Sequence, residues 1–226
     1  MISSNVIQLR QMLSERFPGA RMDFQKPFDE NNFWATGIPQ MDNSLRGGLP
    51  KGALTEIVTP KSSSGSATLI RNLLSRAARQ NQIIAFMDGN DSLDVTQIEP
   101  GVLSRMLWVR CRDANKTLQA ADLVLRDNNF PLVLLDLKSN SESQLRKIPS
   151  TSWYRFQRLV EETATVCLIF TPRVMVSPAQ VRITCQSRCA LNMLESRPAE
   201  IPGQFKLEIF DRRQFPEAEG TLQSTA

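Results

Sequence analysis

The chain contains no histidine, which removes Ser-His-Asp and Cys-His nucleophile chemistry at once. Its four cysteines, Cys111, Cys167, Cys185 and Cys189, are too few and too scattered for a disulfide framework in 226 residues. Cys185 and Cys189 are close in sequence, but no second close pair completes a zinc site, so no metal centre is expected. No run approaches the roughly 20 apolar residues that a membrane span needs. Between Met1 and Phe17, Arg10, Glu15 and Arg16 interrupt the apolar positions, unlike a secretory signal. The expectation is a soluble, cytoplasmic protein without a membrane partner.

What is present suits one sizeable core, at 41% hydrophobic residues. The net charge of +4 is mild but uneven. From Arg146 to Arg213 eleven cations face six acids, so this half carries more than the whole net charge. That bias suits contact with a phosphate backbone, and it also suits ordinary solvated surface.

Val6, Leu9, Leu13 and Phe17 fall at helical spacing, and Pro18-Gly19 ends that helix. With the polar stretch that follows, residues 1–33 read as an N-terminal helical arm and linker. Residues 34–215 read as the core domain and 216–226 as a disordered tail. Within the core, a short helical segment runs through Met41 and Leu45. Strands are predicted at Ala53–Val58, Ile83–Asp88, Leu107–Arg110, Pro131–Asp136 and Val166–Phe170. Helices are predicted near Ser66–Gln80, at Asn115–Asp127 and around Trp153, Phe156 and Val160. This alternation indicates an α/β fold: a mainly parallel sheet flanked by helices. Ala190–Leu194 and Phe205–Phe210 read as an antiparallel C-terminal edge.

A strand, a glycine- and serine-rich loop and a helix in succession can cradle phosphates on backbone N–H groups. The working pattern is G-x-x-x-x-G-K-[ST], in which the lysine reaches the outer phosphates and the hydroxyl binds magnesium. Here the stretch is Thr59-Pro60-Lys61-Ser62-Ser63-Ser64-Gly65-Ser66-Ala67-Thr68. No lysine occupies the motif position: with a one-residue gap it holds Ser66, without the gap Gly65.

From Thr36 to about Arg213 the chain resembles the RecA recombinase family. The segment "ATGIPQMDNSLRGGLPKGALTEIVTPKSSSGSATL" is similar to that family's T-G-x-x-x-x-D start, G-G-L-P-x-G turn, E-I strand and G-P-x-S-S-G-K-T-T loop. "AFMDGNDSLD" looks like F-I-D-A-E-x-x-L-D, and "PLVLLDL" matches the Walker B strand ending at Asp136. "CLIFTPR" sits at the sensor strand, and "ALNMLE" and "FKLEIFDRR" resemble the closing strands. The resemblance places a vestigial nucleotide site at Lys61, Ser62, Ser63, Ser64, Gly65, Ser66, Thr68 and Asp136. It also shows departures. Thr59 replaces the first loop glycine, Asn90 stands where the water-activating glutamate would be, and Arg173 or Pro172 lies at the sensor glutamine.

Losing lysine and glutamate together should suppress phosphoryl transfer by several kcal/mol. The expectation is therefore a protein that is not an enzyme, has no catalytic residues and needs no cofactor, ATP and magnesium being the doubtful exceptions. Lys61 and Arg173 read either as phosphate contacts or as surface cations. Asp136 reads either as a magnesium ligand through water or as a structural acid.

The family's DNA-binding loops correspond to Lys138–Ser150 and Arg173–Arg188. Their cations, Lys138, Arg146, Lys147, Arg173, Arg182 and Arg188, are the DNA-contact candidates, for single-stranded DNA without sequence preference. The subgroup resembled in size, arm and "GGLPKGALTEI" turn is the ImuA type, accessory proteins of bacterial DNA-damage-induced mutagenesis. That resemblance implies a non-catalytic adaptor assembling a translesion-synthesis complex. Its partners would be a Y-family polymerase-like protein, a replicative-type polymerase subunit and DNA. The rival readings are a weakly active recombinase-like ATPase and a regulatory inhibitor of cell division or of a full-length recombinase.

Overall fold

Short apolar runs such as Leu132–Leu135, closed by Asp136, leave no polar face, so as strands they must be covered on both sides. In the computed structural model, which describes residues 8, 11–13, 15–16, 32–60, 65–187 and 205–211, they form the centre of a seven-stranded sheet. The strands are β3 (Ala53–Val58), β4 (Ile84–Asp88), β5 (Met106–Arg110), β6 (Leu132–Asp136), β7 (Val166–Thr171), β8 (Val181–Ser187) and β9 (Phe205–Asp211). Their order is β5-β4-β6-β7-β3-β8-β9. All neighbours run parallel except β9, which is antiparallel to β8. A separate two-stranded ribbon pairs β1 (Phe33–Trp34) with β2 (Leu49–Pro50).

Successive strand residues alternate between two cores. Ile84, Phe86, Leu132, Leu134, Leu168 and Phe170 face one side, packed by α1 (Pro39–Ser44), α2 (Ser66–Arg79) and α3 (Pro100–Leu103). Ala85, Met87, Val133, Leu135, Cys167 and Ile169 face the other, packed by α4 (Ala114–Asp127) and α6 (Ser150–Glu161). Between them lies the short α5 (Glu142–Arg146). Helix α2 presents Leu69, Ile70, Leu73, Leu74 and Ala77 as one buried stripe. Helix α4 starts at Asp113, whose carboxylate accepts from the Lys116 N–H, and ends at Asn128 in the left-handed conformation. From the arm, Gln8, Gln11–Leu13, Glu15 and Arg16 are helical, and Leu13 is buried in the second core.

The T-G-x-x-x-x-D start has a local cause. Asp42 accepts from the Thr36 N–H at 2.8 Å, the Thr36 hydroxyl at 2.7 Å and the Gly37 N–H at 2.9 Å. This clamp seats α1 before the ribbon. In the G-G-L-P turn, Gly48 has φ +127° and a Cβ there would lie 2.2 Å from the Trp34 carbonyl oxygen, so only glycine fits.

Two stretches expected as loops carry regular structure. The antiparallel partner of β9 is Val181–Ser187, whereas Ala190–Leu194 lies outside the described residues. The stretch Arg173–Arg188, read as one loop, therefore contains a strand, because V-R-I-T-C-Q-S alternates with a period of two. Lys138–Ser150 likewise contains α5, capped by the Ser141 side chain. The tail 216–226 is outside the described residues too. Among the described residues no helix is long and apolar enough to cross a membrane.

Cys111, Cys167 and Cys185 are buried free thiols, and Cys189 lies outside the described residues. Burial pushes the Cys167 and Cys185 thiols up to about 12. An unfolded thiol titrates near about 8.5, so the folded pKa is the raised one. Their contribution to stability is then fully present below the unfolded thiol's pKa and fades as pH climbs from there towards 12. The urea midpoint should fall steadily across this alkaline window, and a Cys167→Ala, Cys185→Ala variant should show a flatter decline.

Candidate functional site

In parallel sheets the strands' carboxyl ends point their loops to one edge, where ligands gather. Here that edge is set by Val58, Asp88, Asp136 and Thr171, the last residues of β3, β4, β6 and β7. Asp88 and Asp136 are in direct register. Thr59, at the position of the first loop glycine, is buried and donates both its N–H (2.8 Å) and its hydroxyl (3.2 Å) to the Thr171 carbonyl. It therefore ties the loop's start to β7 and does not open towards a phosphate.

Lys61, Ser62, Ser63 and Ser64 lie outside the described residues. At the far side of the loop, Gly65 has φ 82° and leads into α2, with Ser66 buried and Thr68 half-buried. The first turn of α2 contains no acid.

Asp136 is 3% exposed and held by its own chain. The Lys138 N–H donates to Oδ1 at 3.1 Å, and the Lys138 ammonium pairs with Oδ2. Burial pushes the Asp136 carboxyl above the usual carboxylate range; the Lys138 charge opposes this and the Asp88 charge adds to it. Asp88, fully buried, accepts from the Ser92 and Leu93 N–H groups at 2.9 Å each and from the Trp108 indole at 3.4 Å. These bonds fold the chain after β4 back on itself and leave Asn90 exposed. A neutral amide at that place cannot take a proton from water. Among the described residues no three carboxylates or thiols converge on a point. Asp136 is the carboxylate that magnesium would use, and an ammonium already sits on it. As arranged, these residues do not fit the ion.

A feature that sequence reasoning missed is Glu56, the acid of the E-I strand. It is fully buried and accepts from the Thr171 hydroxyl (3.1 Å), the Met175 N–H (2.7 Å), the Val176 N–H (3.0 Å) and Arg182 Nε (2.7 Å). Its signal was available: a charged acid in β3, a strand buried on both sides, must find cations and amides. Arg182 also donates to the Val176 carbonyl at 3.3 Å, so the turn leaving β7 is pinned onto the sheet.

The DNA-contact candidates divide accordingly. Lys138 and Arg182 serve the buried acids Asp136 and Glu56. Arg146 and Arg173 are exposed and converge on one carboxylate, Glu142, at 2.9 and 3.2 Å. Those two guanidinium groups hold Glu142 below the usual carboxylate value. Lys147 follows directly, exposed, on the wall of a half-open groove of about 670 Å³ lined also by Leu118, Asp122, Arg155 and Phe156. Arg188 lies outside the described residues. So Arg146 and Arg173 cluster around Glu142, and Lys147 is the next residue along the chain.

Comparison with known proteins agrees with this architecture. The family described as "RecA N-terminal domain" matches residues 18–141. Protein RecA of Desulfotalea psychrophila is 34% identical over 105 residues, covering 45% of this chain and 29% of the relative. That of Gluconobacter oxydans is 31% identical over 121 residues, covering 50% of this chain and 33% of the relative. That of Clavibacter michiganensis is 36% identical over 104 residues, 45% of this chain and 28% of the relative. The chain thus spans about a third of the length of these relatives.

Proposed function

The chain belongs to the RecA N-terminal domain family, and on that premise we propose that it is a non-catalytic adaptor of the bacterial DNA-damage response. It would help assemble a translesion-synthesis complex, as its likeness to ImuA-type proteins implies. The observation that carries this reading is the state of the sheet's carboxyl edge. Asp136 is paired with Lys138, Thr59 is tied to β7, and Asn90 cannot act as a base. Phosphoryl transfer depends on charges aimed at the reacting phosphate. Among the described residues, Lys138 and Arg182 are committed to buried acids of this chain. Of the DNA-contact candidates among the described residues, Arg146, Lys147 and Arg173 point outward, which suits sequence-independent contact with single-stranded DNA. The proposed protein partners are a Y-family polymerase-like protein and a replicative-type polymerase subunit.

The test is anisotropy with a labelled single-stranded oligonucleotide, alongside pull-downs with the two polymerase partners. An Arg146→Ala, Lys147→Ala, Arg173→Ala variant should bind DNA at least tenfold more weakly. Each lost phosphate contact should also flatten the salt dependence by about 0.7 in slope. Failure of the wild-type chain to bind either DNA or a polymerase partner would sink the proposal. Tight, magnesium-dependent ATP binding would instead favour a recombinase-like ATPase.

A further inference from the structure

Strand β6 delivers Asp136 to the sheet edge beside Asp88, so two buried carboxylates sit on neighbouring strand ends. Such a pair requires compensation on both members. Asp88 obtains it from the amides of its own following turn. Asp136 obtains it from Lys138, through the backbone N–H and the ammonium together. Leu137, between them, turns fully into the second core and anchors the segment, so both neighbours of the pair are fixed. The Lys138 side chain is 23% exposed, and its ammonium lies against the buried Asp136 carboxylate.

We infer that Lys138 is a resident cation, whose ammonium holds the position at Asp136 that a divalent metal would need and closes this edge to such metals. The inference rests on the reading of the edge as non-catalytic, but it does not depend on DNA or polymerase binding. A divalent ion such as magnesium takes hard oxygen ligands and an octahedral shell. To bind Asp136 it must expel the ammonium and then tolerate that positive charge close by. A lysine, unlike a metal, is always present, so the edge would be independent of metal and nucleotide supply.

Three forms of the full chain separate the outcomes: wild type, Lys138→Met, and Lys138→Met with Asp136→Asn. Manganese binding, followed by electron paramagnetic resonance at neutral pH, should be undetectable or weak in the wild type. It should tighten at least tenfold in Lys138→Met and vanish in the double variant. The melting temperature should fall by roughly 5–10 °C in Lys138→Met, because a buried carboxylate loses its partner. Manganese should restore it in the single variant, and the amide should restore it in the double one. If Lys138→Met does not fold alone, folding regained in the double variant or with manganese supports the same conclusion. Wild-type manganese binding as tight as that of Lys138→Met overturns the inference. So does a folded Lys138→Met with neither a gain in metal binding nor a loss of stability. Either result would leave the proposed DNA and polymerase contacts standing.

Discussion

Replacing Glu56 by alanine is expected to lower the free energy of unfolding by about 3–5 kcal/mol, measured by urea denaturation. The carboxylate is fully buried on β3, between β7 and β8, and receives four donors. Removing it leaves the Arg182 guanidinium, 20% exposed, without its anion. It also strands the Met175 and Val176 amides in a place that water does not reach freely. Glu56→Gln should be milder, because the amide keeps one acceptor but turns a donor towards other donors. Arg182→Met in the Glu56→Ala background should recover part of the loss, since an apolar pair is better than a lone buried charge. Limited proteolysis should also cut the segment between β7 and β8 faster in Glu56→Ala, because the bonds that pin it are gone. Equal stability of Glu56→Ala and the wild type would show that the network is incidental.

Gly89→Ala is expected to destabilise by about 2–3 kcal/mol, although alanine is what the resembled F-I-D-A-E pattern has there. A methyl on Gly89 would stand 2.4 Å from Asn140 Oδ1 and 2.5 Å from the Asp136 carbonyl oxygen. The second of these is backbone at the end of β6. The Gly89 N–H already donates to that carbonyl at 2.9 Å, and the Asn140 amide donates to the Gly89 carbonyl at 2.8 Å. The two strand ends are thus laced together at a separation that leaves no room for a Cβ. Adding Asn140→Ala should recover only part of the loss, because the carbonyl contact remains. Thermal melts of both variants decide the matter; full recovery would place the whole conflict on the asparagine.

The long elements were legible because burial on both faces writes an unmistakable pattern. Strands β4, β6 and β7 read as apolar runs, and α2 and α4 carry helical stripes. Strand β8 lies in a stretch that the family resemblance makes a loop, although V-R-I-T-C-Q-S alternates with the period of a strand. Helix α5 has five residues, too few for a periodic signal. At the site, the absence of the loop lysine and the change at Asn90 were visible in the sequence. The pairing of Lys138 with Asp136 was not. Two residues apart on a strand end, they share a side, but a sequence does not reveal whether a lysine leans inward or snorkels into solvent. Arg182 posed the same problem with a larger separation: its partner Glu56 is 126 residues away. Folding commits two of the six candidate cations, Lys138 and Arg182, to buried acids, which their positions in the sequence do not reveal.

The position of β3 bears on how the molecule can be made. Both of its hydrogen-bonded neighbours, β7 and β8, come late in the chain; Glu56 waits for Thr171, 115 residues on. The segment that carries the family signature, 18–141, contains β3 but neither neighbour. During synthesis β4, β5 and β6 can zip together as they emerge, while β3 remains an unpaired apolar strand until β7 leaves the ribosome. A nascent chain stalled before Val166 would expose that strand to chaperones and to aggregation alike. The recognisable part of the sequence therefore leaves β3 without either of its hydrogen-bonded neighbours.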